Sequence, residues 1–307
     1  MKAARMLSPK GFEGIDGLVY EDAPDPQPAI GDALVRVRAA SFTPTELTWP
    51  LRTDRAGHDR GPLIPAHEGS GVVVGLGYGT AGVSVGEEVY GLIDGYRDGW
   101  AAEYVTIEAR SLAPKPTTVD FVEAAAIPQA GLTSWQALFD HGHLESGQTV
   151  LIHGAGGGVG SIGVQLARWA GARVIGSGRA SARQRALELG AEEFVDLERD
   201  AWQTAVGQVD LVYDTIGGDV LAQSPAIVKP GGALVTVMAP LQTDRDDIRI
   251  VHFVRDASGA QLREITRLVD QGKLRPHVGA VYPLAQAREA FMAKSTQHIP
   301  GKVVLTP

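Results

Sequence analysis

The chain has 307 residues, a length that indicates two domains rather than one hydrophobic core. Its formal net charge of −8 repels phosphate groups, so we expect neither nucleic acid nor an anionic membrane as a partner. The sequence contains no cysteine, which excludes disulfides, thiolate metal sites and a cysteine nucleophile. It also lacks a signal-like N-terminal segment and any run long enough to span a bilayer, so we expect a cytoplasmic protein.

Residues 1 to about 120 predict short strands separated by Gly- and Pro-rich turns. Apolar and polar residues alternate clearly at 33–38, and further strands are expected at 71–74 and 101–107. This region is therefore expected to be an all-β domain.

From Asp120 onward the periodicity changes, and helical and strand patterns alternate. Helices are expected at 122–126 and 132–139, with Pro128 between them, and then at 181–189 and around 220–228. Strands are expected at 150–153, 173–176, 193–196, 210–214, 233–238 and 248–254. Such alternation is typical of a doubly wound parallel sheet.

The segment VLIHGAGGGVG at 150–160 carries the clearest functional signal. An apolar strand enters a turn that contains Gly154, Gly156, Gly157, Gly158 and Gly160, and apolar residues at helical spacing follow. Glycines at such a turn let bare backbone approach a pyrophosphate, which the first N–H groups of the helix then bind. The alternative is a glycine-rich turn that binds nothing, but the strands and helix around it favour a dinucleotide site.

The C-terminal part predicts an amphipathic helix at 258–271 that ends at Gly272. The residues after it mix two strands and a helix. We expect them to rejoin the first domain.

A set of segments identifies a family when their order and spacing are taken together. In chain order they are PAHEGSGVVVGLG, VGEEVYG, GWAAEYV, AAAIPQAGLTSWQAL, VLIHGAGGGVG, LELGAEEFVD, DLVYDTIGG, KPGGALVTV, GKLRPHVGAVYPLAQAREAF and GKVVL. The chain resembles, over nearly its whole length, the zinc-independent quinone oxidoreductases of the medium-chain dehydrogenase/reductase superfamily. This resemblance implies an α/β fold with a GroES-like β-barrel catalytic domain (residues 1–121 and 257–307) and an inserted Rossmann domain (residues 122–256). It also implies a nicotinamide cofactor in the cleft between them.

Zinc-dependent members of this superfamily carry a catalytic Cys three positions before an acid, a His-Glu pair and a second Cys. The corresponding positions here hold Thr43 before Glu46, His67 with Glu68, and Gln129. Thr and Gln are poor zinc ligands, so we expect no metal. One alternative is a site built from His67, Glu68 and Glu46. The simpler interpretation is that the His67 ring forms hydrogen bonds in the cleft.

The cofactor is expected to be NADPH. Enzymes selective for NAD place an acid about 20 residues beyond the glycines. The segment GSGRASAR at 176–183 contains none. Ser177 could hydrogen-bond a 2′-phosphate, and Arg179 and Arg183 could pair with it. The alternative is that both arginines simply face solvent.

The resemblance also implies further contacts around the nicotinamide. These would come from Thr133, Val159, Met238, Ala239, Phe253 and Val254.

On the substrate side, the resemblance implies a cleft lined by Thr43, Glu46, Trp49, His67 and Trp135. The two tryptophans would form a flat apolar pocket suited to conjugated rings.

These features predict an NADPH-dependent, zinc-free oxidoreductase that transfers hydride to a quinone or an α,β-unsaturated carbonyl compound. Without a Lewis-acid metal, an isolated ketone is harder to polarise than an electron-poor conjugated acceptor is to reduce. The alternatives are a carbonyl reductase or alcohol dehydrogenase of the same superfamily, and a non-catalytic NADPH-binding protein. The expected partner is a small-molecule substrate, and the sequence leaves the proton donor open.

The last inferred strand of the parallel sheet, at 248–254, is apolar and rich in β-branched residues. Exposed strand edges are normally covered or paired, and pairing with a second copy across a two-fold axis is a closed arrangement. Together with the resemblance, this edge predicts a homodimer. The alternative is a monomer whose edge is protected by Arg249 and His252.

Overall fold

A computed structural model describes residues 1–7, 15–43, 45–49, 56, 58–199, 202–297 and 299–307. The chain forms two compact units. The first unit comprises Met1–Gln129, Ala257–Gly272 and Pro276–Pro307, and the second comprises Ala130–Asp256 and Lys273–Arg275. The first unit is therefore built from both ends of the chain, and the second is inserted into it.

Strands and helices lie at most of the predicted positions, and a short helix at Trp202–Val206 adds to them. The strands are β1 (Lys2–Met6), β2 (Leu18–Asp22), β3 (Asp32–Ser41), β4 (Glu68–Leu76), β5 (Glu88–Leu92), β6 (Tyr104–Glu108), β7 (Leu112–Pro114), β8 (Thr149–His153), β9 (Arg173–Gly178), β10 (Glu193–Asp196), β11 (Val209–Asp214), β12 (Val228–Thr236), β13 (Arg249–His252), β14 (Val278–Pro283) and β15 (Lys302–Thr306). The helices are α1 (Phe121–Ala125), α2 (Pro128–Trp135), α3 (Gly160–Trp169), α4 (Arg183–Glu188), α5 (Trp202–Val206), α6 (Gly218–Gln223), α7 (Gly259–Asp270) and α8 (Ala287–Thr296). A π-helix, Gln136–His141, follows α2.

The first unit is organised around β3, which pairs antiparallel with β4, β6 and β15. Its sheet runs in the order β14-β15-β3-β4-β5-β7, and β1 pairs separately with β2. Alternate β3 residues such as Val35 and Val37 are buried, whereas Arg36 and Arg38 are exposed. The predicted alternation therefore places one face of β3 against the core, where Phe42 stacks on Phe291 at 3.7 Å between ring centroids.

The second unit contains a parallel sheet in the order β10-β9-β8-β11-β12-β13. Numbered by their position within this unit, the strands follow the order 3-2-1-4-5-6 of the doubly wound dinucleotide-binding fold. Strand β8 lies next to the reversal of this order, and Val150, Leu151 and Ile152 are fully buried. The predicted parallel sheet is confirmed.

Residues 122–129, which the sequence pattern assigns to the cofactor domain, lie in the first unit. The reason is packing. Ala125 and Ala126, at the end of α1, form a buried cluster with Ala39 and Val304. The helical pattern thus begins before the chain enters the second unit.

Candidate active site

Two side chains of the first unit meet where β3 ends and β4 begins. The strands are antiparallel and Ser41 pairs with Glu68, so residues just after β3 lie beside those just before β4. A 3₁₀ turn at Glu46–Thr48 follows β3, and the Glu46 carboxylate contacts Nδ1 of His67. The two residues are only 4% and 6% exposed, which makes this a buried acid–imidazole pair.

Glu46 is held as a carboxylate. Burial alone would raise the pKa of Glu46, but the charge and hydrogen bond of His67, together with the N–H groups of Thr43 and Ala66, lower it. The N–H of Thr43 donates to Oε2 of Glu46 at 3.2 Å. Because a carboxylate only accepts, Nδ1 of His67 carries the proton. Within the described part of the chain, the other ring nitrogen, Nε2, makes no hydrogen bond.

A second chain of contacts joins Thr43 to the last strand. Gln129 Nε2 donates to Thr43 Oγ1 at 2.6 Å, and the N–H of Gln129 donates to Glu68 Oε2 at 2.8 Å. The other oxygen of Glu68 pairs with Lys302 Nζ at 2.5 Å, and Lys302 also donates to the carbonyl of Phe42 at 3.1 Å. Sequence reasoning does not find Lys302, because a lysine near the end of a chain is ordinarily solvated.

These residues do not fit a zinc centre. Glu46 is engaged by His67, Glu68 is paired with Lys302, and Thr43 Oγ1 accepts from Gln129, so among the described residues of this cluster only Nε2 of His67 is left as a good zinc donor. Zinc prefers imidazole, thiolate and carboxylate ligands. Across the residues that the structure describes, no three His, Asp or Glu side chains are grouped to hold a metal ion. Glu68, which the alternative site of His67, Glu68 and Glu46 would require, pairs with Lys302 instead.

The two tryptophans expected on the substrate side have different surroundings. Trp49 lies beside His67, with 5.8 Å between ring centroids. Trp135 belongs to the second unit, where it packs against Phe139 at 4.9 Å and Trp169 at 6.1 Å. Trp135 is thus part of an aromatic cluster of that unit.

In the second unit, the glycine loop between β8 and α3 has the shape of an anion cradle. Gly154 has φ = +77°, and a Cβ there would lie 2.4 Å from Thr215 Oγ1. A Cβ on Gly160 would lie 2.2 Å from the carbonyl oxygen of Gly154, so both positions require glycine for the tight turn. A Cβ on Gly157 would meet only that same oxygen, at 3.2 Å. The outer side of the loop is therefore bare backbone at the N-terminus of α3, which suits a pyrophosphate.

The residues expected to bind the 2′-phosphate separate into two groups. Ser177 is fully buried near the end of β9, and its hydroxyl lies 2.6 Å from Nδ1 of His153. This corrects the sequence interpretation, because Ser177 has no surface to offer a ligand. Arg179 and Arg183 follow β9 and are exposed. Arg183 donates to the carbonyl of Phe194 at 3.0 Å, so a phosphate contact there depends on its remaining N–H groups.

Hydrogen bonds fix the chain after β11 and β12. The buried carboxylate of Asp214 accepts from the N–H groups of Ile216 and Gly217 and from Thr236 Oγ1. Thr236 Oγ1 in turn accepts from the N–H of Met238 at 3.1 Å. This network, which the sequence does not reveal, holds Met238 in place with its side chain exposed.

The other residues expected near the nicotinamide differ in exposure. Thr133 and Phe253 are buried, Val159 is half-buried, and Ala239 and Val254 are exposed.

The side chain of Gln136, in the π-helix, forms hydrogen bonds with the carbonyl oxygen and the N–H of Asp256, at 2.9 Å each. These bonds hold the segment that follows β13 in place.

Comparisons with known proteins agree with both units. Residues 29–117 match the model of the alcohol dehydrogenase GroES-like domain, and residues 189–305 match that of the zinc-binding dehydrogenase family. The chain is 30% identical to a 2-methylene-furan-3-one reductase of Solanum lycopersicum, over 89% of this chain and 71% of that protein. It is 27% identical to a chloroplastic NADPH-dependent alkenal/one oxidoreductase of Arabidopsis thaliana, over 96% and 78%. The structure of the quinone oxidoreductase from Coxiella burnetii superposes with a TM-score of 0.90 at 28% identity, over 100% and 99%.

The first unit matches a GroES-like domain, and a unit with the dinucleotide-binding strand order is inserted into it. This combination places the chain in the class of NAD(P)-dependent oxidoreductases. The predicted fold, a GroES-like domain with an inserted Rossmann domain, is confirmed. The chain belongs to the medium-chain dehydrogenase/reductase superfamily. In the residues described, no helix is both long and apolar enough to cross a membrane.

Proposed function

We propose that the protein is an NADPH-dependent reductase of quinones or α,β-unsaturated carbonyl compounds and that it acts without zinc. The observation that carries this proposal is the buried Glu46–His67 pair, with Glu68 held by Lys302, at the positions where zinc-dependent relatives bind their metal. A site of this kind lacks a Lewis acid and therefore suits acceptors that are already electron-poor. The names of the relatives, a furanone reductase, an alkenal/one oxidoreductase and a quinone oxidoreductase, support the same substrate class.

NADPH would be held by the second unit. The bare glycine loop at the start of α3 would bind its pyrophosphate, and Arg179 and Arg183 would pair with its 2′-phosphate. When bound, the cofactor supplies the hydride.

The cofactor preference is testable by titration calorimetry. We expect NADPH to bind at least ~10-fold more tightly than NADH, a difference of about 1.4 kcal/mol. Arg179→Ala and Arg183→Ala should each narrow this ratio, because each removes a phosphate partner. Arg168→Ala is the matched control, since Arg168 is an exposed arginine on α3 that pairs with Glu192. Equal dissociation constants for the two cofactors in the wild type would contradict the proposal.

The absence of a zinc requirement is tested by elemental analysis and chelation. We expect no stoichiometric zinc and full activity after treatment with a chelator, because Glu46, Glu68 and Thr43 already have protein partners and one imidazole nitrogen alone does not hold zinc. One zinc per chain, with activity that depends on it, would refute this part of the proposal.

The substrate class is tested with a panel of quinones, enones, isolated ketones and simple alcohols, followed by the absorbance of the reduced nicotinamide. Turnover should be fastest with quinones or enones. Faster turnover of alcohols and isolated ketones would indicate a carbonyl reductase or alcohol dehydrogenase, and no turnover on any compound would indicate a cofactor-binding protein.

We also propose that the protein is a homodimer that pairs through β13. This strand lies at the edge of the parallel sheet, and its central residues, Ile250 and Val251, are half-buried. The edge has unpaired backbone groups that a second copy could bind across a two-fold axis.

A further inference from the structure

We propose that His67 is the proton donor of the reaction, acting through Nε2, and that Glu46 is the positioning residue that holds it. This inference rests on the proposed reduction of conjugated carbonyl compounds. It assigns a group to the one step that the sequence leaves open.

Geometry singles out Nε2. Glu46 accepts from Nδ1, and this fixes the ring orientation and the site of the proton on Nδ1. A second proton on the ring must then sit on Nε2, which no hydrogen bond within the described residues occupies. The side chain of His67 retains 7% of its surface, whereas that of Glu46 retains 1%. The small exposed surface of the pair therefore belongs to His67 rather than to Glu46.

The Glu46 carboxylate also contacts the backbone of Thr43, whose hydroxyl is a second possible proton donor. Oε2 of Glu46 accepts the N–H of Thr43, and Thr43 Oγ1 accepts from Gln129 Nε2 at 2.6 Å. Since Oγ1 accepts in this contact, the hydroxyl proton of Thr43 is not used by it and can be donated to a ligand. Glu46 thus contacts both the ring of His67 and the backbone of Thr43.

This arrangement completes the reduction of an enone with balanced charge. As hydride adds to the β-carbon, the carbon–carbon π pair shifts towards the carbonyl carbon, and the carbonyl π pair moves onto oxygen. That oxygen takes the Nε2 proton, the N–H bond of His67 breaks, and its electron pair remains on the now neutral ring. The resulting enol tautomerises in water, and His67 regains its proton from solvent. The buried Glu46 carboxylate stabilises the imidazolium before the transfer.

Three variants test the assignment with an enone that the wild type reduces. General acid catalysis typically contributes 10²- to 10⁴-fold, so His67→Gln should lower kcat at least ~100-fold. Glu46→Gln keeps the side-chain shape but removes the charge, and we expect a loss of roughly 10-fold, since the imidazolium is no longer stabilised. His143→Gln, at an exposed histidine, is the matched control and should leave kcat unchanged. The dissociation constant for NADPH, measured by calorimetry, should not change in any of them.

Further measurements distinguish proton donation by His67 from a merely structural role of this residue. Imidazole added to His67→Ala should restore part of kcat. In heavy water, the kcat of the wild type should fall, whereas the kcat of His67→Gln should not change. In the enzyme without cofactor, ¹⁵N NMR should show the neutral His67 ring protonated on Nδ1, and Glu46→Ala should abolish this preference.

A failure of the proposed function can be distinguished from a failure of the His67 assignment. A wild type that reduces no quinone or enone would overturn the proposed function together with this assignment. A wild type that reduces enones, with His67→Gln folded and within about threefold of its kcat, would overturn the assignment alone. The absence of imidazole rescue in a folded His67→Ala would also count against it.

Discussion

His153 makes the stability of the second unit dependent on pH. It is the last residue of β8 and is fully buried, with Nδ1 at 2.6 Å from Ser177 Oγ and Nε2 at 3.0 Å from Ser224 Oγ. The edge of its ring packs against Trp202 at 5.2 Å between centroids. Burial lowers the pKa of His153 from 6.5 to about 4, against a smaller opposing effect of the charge on Asp214.

The sign and size of the effect follow from the two pKa values. In the unfolded chain the imidazole takes up a proton below pH 6.5, whereas in the folded protein it stays neutral down to about pH 4. His153 therefore contributes stability above pH 6.5 that is lost as the pH falls towards 4. Each pKa unit corresponds to about 1.4 kcal/mol, so the full effect is about 3 kcal/mol. About 2 kcal/mol of this is lost between pH 7 and pH 5.

Urea unfolding at pH 7 and pH 5, followed by circular dichroism, measures this loss. Carboxylates also contribute to acid destabilisation, so the informative quantity is the difference between the wild type and His153→Gln. We expect the wild type to lose about 2 kcal/mol more than the variant between the two pH values. His143→Gln, at an exposed histidine, should behave like the wild type. The reasoning is refuted if His153→Gln and the wild type lose the same free energy of unfolding.

Three further predictions concern other parts of the structure. Gly154→Ala should weaken NADPH binding at least ~10-fold and lower the Tm, because its Cβ would lie 2.4 Å from Thr215 Oγ1. Ile250→Pro should dissociate the proposed dimer, since it removes a backbone donor from β13. If light scattering at micromolar concentration gives the mass of one chain for the wild type, the dimer is contradicted. Lys302→Met should lower the free energy of unfolding by about 3 kcal/mol in urea titration, because it leaves the Glu68 carboxylate buried and unpaired.

The parallel sheet could be predicted because its strands are continuous apolar runs with helical patterns between them. Val150, Leu151 and Ile152, for example, form the buried apolar run of β8 (Thr149–His153). The same property explains the error at Ser177. A strand that is covered on both faces shows no alternation, so nothing in the sequence tells which polar side chain points inward. The short helix α5 was not predicted.

The candidate active site could be predicted only in part. Thr43, Glu46 and His67 stand at positions that the family pattern marks, and the structure brings them together. Lys302 could not be predicted, because its contact with Phe42 joins residues 260 positions apart and depends on the pairing of β15 with β3. Asp214 could not be predicted either, since its role depends on the conformation of two turns beyond the sheet.

The absence of cysteine from the chain is consistent with the way in which the two buried acids are paired. Glu46 and Glu68 are both buried, and a buried carboxylate needs a cation or several donors close by. Glu68 has Lys302, and Glu46 has His67, whose ring becomes the matching cation when protonated. A zinc ion added to this cluster would bring two more positive charges with no thiolate to offset them. In the mechanism proposed above, a proton on His67 would take the place of the metal charge of zinc-dependent relatives, and unlike a metal it would be transferred to the substrate.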